Sequence, residues 1–383
     1  FPKPNKLIYL DFKTESQLPT SKGSVVNGEI LCNINDVNFK KYATLEVQGS
    51  SSAFYPKKNW TIEFFNNQDL SDEFEFRLNN SIYQNAWVFK ANYIDFTQSR
   101  NVVGNRLWED IVQLRNTFPI REVETPYQGV KGYENTDTGA WGHVDGFPAV
   151  LSVNGSFYGI GTLNMGKKRD NYNLKNSNKK HIQLNASDHA DFLKFIPGNW
   201  ELRNPNLIDY KDGGVISDTD VMNSINRLWE FHNLSDSDFK ANFDNYYDKV
   251  NMVDFYLLIN FLVADDCYDK NLQLTTWDSL KWFILPYDLD TIFGLHWSGA
   301  SLAYPSNTPL FDKAIWGKVK TAFDSEIKLR YKELRDNGIF DAKYIYDKFK
   351  ELEVIFGQDM FKKENNKWVN IPSKDITSVQ QVV

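Results

Sequence analysis

Asp265, Asp266, Asn271, Asp288 and Asp290 all fall within residues 255–294, where the apolar run FYLLINFLVA leads into DDCYDKN and is followed by WFILPYDLDTIFG. Carboxylates at the edge of a core cost free energy unless they are paired, hydrogen-bonded or bound to a cation. Asp288 and Asp290 flank one residue, directly after an apolar strand pattern over 282–285. In extended chain the side chains of i and i+2 share a face, so both carboxylates can converge on a hard cation such as Mg²⁺. The plain alternative is a turn or helix-capping pair before TIFG. Asp266 and Asn271 are five apart on a loop leaving a buried helix, with Asp265 beside them. One offers a carboxylate that can accept a hydroxyl proton, the other an amide oxygen that can hold a metal; that spacing is the one found in kinase catalytic loops. Against it stands a polar loop whose Asp side chains satisfy local backbone N–H groups.

A second candidate lies upstream. Gly49-Ser50-Ser51-Ser52 separates two strand patterns, and Pro56-Lys57-Lys58 enters the second. Small residues let backbone amides approach an anion, hydroxyls donate to it and an ammonium neutralises it. A solvated hairpin tip with surface lysines accounts for the same residues. Adjacent strand residues point to opposite faces, so only one of Lys57 and Lys58 can serve, and pattern does not choose between them. Arg100, at a helix start, can clamp phosphate or carboxylate or form a structural ion pair. Residues 161–167, GTLNMGK, have the glycine and lysine spacing of a phosphate loop, but Lys168 follows where Ser or Thr is required and the stretch begins inside a hairpin, so it is read as chance. The five histidines form no H-x-x-x-H pair, and no G-x-S-x-G is present.

The elements that must position these residues are mixed. Residues 7–12, 43–48, 60–64 and 86–91 read as strands, and 147–153 with 157–163 as a hairpin about Asn154-Gly155. A helix is expected over 96–114, and further helices over 221–231, 252–263, 310–337 and 342–361. Two strands at 271–276 and 280–285 form a hairpin between the later helices. Residues 164–217, rich in Asn, Lys and Gly, are expected to be long loops with short helices. The expectation is an α+β protein with a β-rich N-terminal half and a helix-rich C-terminal half. At 383 residues, 42% hydrophobic and 24% charged, the chain can bury a sizeable core. The longest apolar run, 255–264, is far short of the roughly 20 residues that span a bilayer, so no membrane span is expected. A net charge of −7 and a pI near 5.4 disfavour a nucleic-acid partner. Cys32 and Cys267 are the only cysteines, too few for a disulfide framework or a cysteine-rich zinc site. The start at Phe1, with no signal-peptide core, points to a processed product or a part of something longer.

Taken in order, VQGSSSAFYPKKNWTIEF, WVFKANYIDFTQSRNVVGNRL, LSVNGSFYGIGTLNM, FLVADDCYDKNLQL with KWFILPYDLDTIFG, and FDSEIKLRYKELRDNGIF resemble the spore coat protein H-like (CotH) atypical protein kinase family. The resemblance implies a two-lobed atypical protein-kinase-like fold, with residues 1–165 as the β-rich nucleotide-phosphate-binding part and 166–383 as the helix-rich part carrying the catalytic loop and metal-binding Asp. It implies ATP and Mg²⁺ binding and transfer of the γ-phosphoryl group to Ser/Thr hydroxyls of a protein. On that reading Asp266 or Asp265 is the base, and Asn271, Asp288 and Asp290 hold metal. Lys57 or Lys58, Ser51 or Ser52, and Arg100 meet phosphates, while Trp282, or less directly Tyr158, stacks on adenine. The family pattern has Arg where this chain has Gln48, and Glu near Asn164-Met165. A catalytically silent structural or adhesion domain of a surface or virion assembly is the first alternative. A metal-dependent glycosyltransferase using Asp288 and Asp290 is the second. The resemblance favours a spore-surface, secreted or virion-associated location over the cytoplasm.

Overall fold

The computed structural model describes residues 1–79, 81–114, 142–187, 189–207, 214–301 and 315–373. The first strands alternate buried and exposed positions, as a sheet wrapped around its own core requires. They are β1 (Ile8–Lys13), β2 (Val25–Ile34), β3 (Val37–Gln48), β4 (Asn59–Phe65) and β5 (Ala86–Lys90). With β6 (Gly146–Val153) and β7 (Ser156–Met165) they close a barrel in the order β1-β2-β3-β4-β5-β7-β6. Closure is made by the parallel pair β1–β6, with Leu10 opposite Leu151. The hairpin at Asn154-Gly155 forms as its sequence dictates, both residues having positive φ. Strand β2 was not signalled by pattern. Its alternation is interrupted at Gly28, which lies so close to β1 that a Cβ would sit 2.2 Å from the Lys13 carbonyl oxygen.

The polar stretch expected to be loops contributes two strands instead, β8 (Ile182–Ala186) and β9 (Trp200–Asn204). They pair with the expected hairpin, β10 (Leu272–Thr276) and β11 (Trp282–Pro286), in a sheet ordered β11-β10-β8-β9. All five residues of β8 are buried, so no alternation marks it in the sequence.

Helix α1 (Arg100–Gln113) starts four residues later than expected. The intervening turn is organised by the Asp95 carboxylate, which accepts from the backbone N–H groups of Thr97, Ser99 and Arg100. Then follow α2 (Thr219–His232), α3 (Asp236–Asn242), α4 (Lys249–Leu262), α5 (Ile315–Asp336), α6 (Ala342–Phe356) and α7 (Gln358–Lys367). The single helix expected over 342–361 is thus two, broken at Gly357 with φ of 77°. Residues 310–314 of the expected α5 lie outside the described residues. One core fills the barrel, and a second joins the four-stranded sheet to the helices. The protein is therefore α+β. Among the described residues no helix is long and apolar enough to cross a membrane.

Candidate functional site

A cleft of about 570 Å³ opens between the end of the barrel and the four-stranded sheet. Its barrel side begins with the Gly49–Ser52 turn. Gly49 has φ of 114°, and a Cβ there would lie 1.9 Å from Ser52 Oγ, so the tight turn requires glycine. The Asn59 side chain donates to Ser52 Oγ at 3.0 Å and accepts from Ala91 N at 2.7 Å, hanging the turn from β4 and from the residue after Lys90. Lys90 ends β5, and its ammonium bonds to Asp288 Oδ1 across the cleft.

The opposite side is built from the hairpin and its flanks. Asn271, with φ of 54°, donates its N–H to Ala186 O at 3.1 Å and accepts from Tyr287 N at 3.1 Å. Its amide donates to Asp266 Oδ2 at 3.3 Å. Helix α1 holds the segment after β11, because Asn101 Oδ1 accepts from Leu289 N at 3.0 Å and Asn105 donates to Tyr287 O at 3.3 Å. Asp266, Asn271, Asp288 and Asp290 all line the cleft. Lys167, Glu201 and Arg203 line it too; the Arg203 guanidinium donates to Glu201 at 2.8 Å, and the Lys167 ammonium lies 3.5 Å from the same carboxylate.

Burial, and after it the charge of Asp288, pushes the Asp290 carboxyl up to about 7 against the opposing pull of Lys90. Burial also raises Asp266, with Lys270 opposing and Asp288 reinforcing. Burial alone would lower the Lys90 ammonium, but Asp288 and Asp290 outweigh it and hold that group above its ordinary range. Lys167 is brought down to about 8 by burial, partly offset by Glu201. Asp266, Asp288 and Asp290 thus cluster about the bridging Lys90 ammonium, while Lys167 lies further along the lining beside Glu201 and Arg203.

Ser51 and Ser52 line the cleft, while Asp265 does not. Lys57 borders it, but its ammonium is turned into the protein, donating to Ala91 O, Ile160 O and Glu364 Oε1. The Lys58 ammonium donates to Ala53 O at 2.7 Å. Arg100 is fully buried, held by Asp95 and by Ile292 O. Trp282 is fully buried within β11, and Tyr158 bonds through its hydroxyl to the Lys58 backbone. These groups are not gathered in the cleft; the aromatic rings that line it are Tyr55, Tyr93, Tyr287 and Trp297. Gln48 lines it with Oε1 unbonded among the described residues, and buried Asn164 near Lys90 also has an unbonded Oδ1. The sequence patterns do not single out Lys90, Glu201 and Arg203 as site residues, and Lys167 falls in the GTLNMGK stretch read as chance. Glu201 and Arg203 share one face of WELRN, and Lys90 terminates the buried run AWVF, so both left a trace in the pattern.

Barrel, sheet and lysine-bridged acidic cleft together define an α+β protein with a two-walled polar site. A protein-family profile described as CotH kinase protein matches residues 45–383, and the chain belongs to that family. No curated protein matches it.

Proposed function

We propose that this chain is an ATP- and Mg²⁺-dependent phosphotransferase that moves the γ-phosphoryl group to a Ser or Thr hydroxyl of a protein. In this reading the barrel and the helix-rich part act as two kinase-like lobes. The observation that carries it is the Lys90–Asp288 bridge across the cleft, with Asp266, Asn271 and Asp290 around it. Transfer of a phosphoryl group asks mainly for positioning and charge neutralisation, and these residues supply both.

Asp266 is the base in this scheme: of the acidic pair 265–266 it is the one facing the cleft, and its raised affinity for protons suits proton abstraction. As it takes the acceptor's proton, the hydroxyl oxygen bonds to the γ-phosphorus and the bond to the ADP oxygen breaks. The Gly49–Ser52 turn offers amides and hydroxyls to phosphate oxygens, and Lys90, Lys167 and Arg203 offer positive charge. Among the described residues no three His, Cys, Asp or Glu side chains are arranged to hold a metal ion. Two carboxylates and an amide, all oxygen donors lining the cleft, fit Mg²⁺ that takes its remaining ligands from phosphate and water. Asp288, Asp290 and Asn271 would hold it, and when bound it neutralises developing phosphate charge.

A silent structural or adhesion domain, on a spore or virion surface, is the second reading. It is favoured by Gln48, which brings an unbonded carbonyl oxygen rather than a cation to the turn end of the cleft. A glycosyltransferase draws support only from the Asp288 and Asp290 pair. Incubating the chain with Mg²⁺ and γ-labelled ATP, alone and with a Ser/Thr peptide library, separates the three, with UDP-sugars and EDTA as controls. Label on hydroxyls and a thermal shift by Mg²⁺-ATP are expected, both lost in Asp288→Asn. Stabilisation by UDP-sugar, or neither shift nor label with ATP, overturns the proposal.

A further inference from the structure

Glu364 reaches from α7 to β7 of the barrel and uses both carboxylate oxygens: Oε1 bonds the Lys57 ammonium, and Oε2 accepts from Ile160 N at 2.9 Å. Both side chains are almost wholly buried. Gly159 makes room for them, since a Cβ there would lie 2.6 Å from Lys57 Cε and 3.0 Å from Glu364 Oε2. Lys57 also donates to the carbonyl of Ala91 at 2.6 Å, and Ala91 directly follows Lys90. A path of direct bonds therefore runs from Glu364 through Lys57 to Ala91, and on through Asn59 to Ser52.

The chain beyond α7 continues along the same wall. Trp368 Nε1 donates to Tyr158 O at 2.8 Å, the Tyr93 hydroxyl donates to Asn370 O at 2.9 Å, and Phe96 N donates to Ser373 Oγ at 2.8 Å. Tyr93 lines the cleft with its ring 5.3 Å from that of Tyr55, whose hydroxyl donates to Trp297 O. Residues 358–373 thus strap together the segments that carry the barrel side of the cleft. A buried ion pair gives little net stability compared with an apolar pair of the same size, so geometry is the more telling use for this one.

We infer that Glu364 is a positioning residue: acting through Lys57, it fixes Ala91 and hence the Lys90 ammonium opposite Asp288. Its catalytic consequence rests on the phosphotransferase reading; the mechanical link does not.

Two variants of the chain test it, the paired Lys57→Met/Glu364→Leu and the conservative Glu364→Asp. Hydrogen exchange without nucleotide is followed beside steady-state kinetics and thermal unfolding. The paired variant keeps its midpoint within ~5 °C of the parent. Its amides over 90–93 exchange at least ~10-fold faster, while those of α4 are unchanged. Because small displacements of a catalytic group cost up to about 10²-fold in rate, kcat falls at least ~10-fold. The ATP KM moves less than ~3-fold, and Glu364→Asp, which keeps the charge one methylene short, lies between. Parental exchange over 90–93 in both variants overturns the link, and parental kcat in both overturns the positioning role. A parent that transfers no phosphate, with exchange still accelerated in the variants, upholds the link and refutes the phosphotransferase reading alone.

Discussion

Removing the Lys90 ammonium takes from Asp288 and Asp290 the charge that now bridges them to the barrel. Lys90→Met therefore abolishes phosphoryl transfer on the proposed reading, yet in the absence of nucleotide it tightens Mg²⁺ binding by about 3- to 10-fold, because a competing cation has gone. Calorimetric titration with MgCl₂ measures this, and weaker binding by the variant would count against the metal role of the pair. Lys167 gives a pH signature. Its ammonium loses its proton near 8, because burial disfavours charge, so the cation that attracts phosphate is present below that value and lost above it. The kcat/KM for ATP, which reports the free protein, falls as pH rises through about 8. Lys167→Arg stays charged and removes the fall from a profile taken between pH 7 and 9.5. The acidic residues were legible in the sequence because carboxylates beside apolar runs are anomalous. Lys90 left only a weak trace, since a lysine at a strand end is ordinary, and Lys167 sits in the GTLNMGK stretch whose spacing reads as chance. The turning of Lys57 away from the cleft depends on Glu364, 307 positions further along the chain, which no local pattern can convey.

Elements declare themselves where local patterning and burial agree. The Asn154-Gly155 hairpin and the amphipathic helices did so, whereas β8 is buried on both faces within an Asn- and Lys-rich stretch and resembles a loop. How α2 is fixed against its surroundings is equally hidden in the sequence. Its last residue, His232, donates from Nδ1 to Phe192 O at 2.7 Å, and its Nε2 accepts from the Tyr247 hydroxyl at 2.8 Å. Burial drives this imidazole down to about 3; the Phe192 carbonyl opposes the shift, and Lys318, which donates to the His232 carbonyl, adds to it. An unfolded histidine titrates near 6.5, so below that pH the unfolded chain binds a proton that the folded one refuses. The stabilisation is complete above about 6.5 and is lost as pH falls toward 3, with a slope of up to about 1.4 kcal/mol per pH unit. Urea unfolding between pH 4.5 and 7 should show this slope, and His232→Gln should flatten it. An unchanged slope would mean that the ring is already protonated in the fold.

Across the whole molecule, the barrel and the sheet-and-helix part each have a core of their own, and the cleft lies at their boundary. Of the segments recognised in sequence order, the Gly-Ser turn, the stretch after Lys90 and the region from Asp266 to Asp290 meet at that boundary although they span more than 200 residues, whereas the Asn154-Gly155 hairpin does not line it. Their order was readable, while the closed barrel and the pairing of β8 with β10 were not, because registry between distant strands leaves no mark within either strand. A ligand in such a cleft touches residues anchored in both cores, so its binding energy must couple them. At 100-fold excess over its Kd, Mg²⁺ with a non-hydrolysable ATP analogue should stabilise the chain by about 2.7 kcal/mol. Hydrogen exchange resolves where that energy is felt. Amides of β4 and β5 in the barrel and of β10 and β11 in the sheet should slow together, and in Asp288→Asn neither set should respond. Protection of the barrel strands alone would place the ligand on the Gly-Ser turn without engagement of the acidic wall. That outcome would leave a nucleotide-binding surface but remove the shared site on which phosphoryl transfer depends.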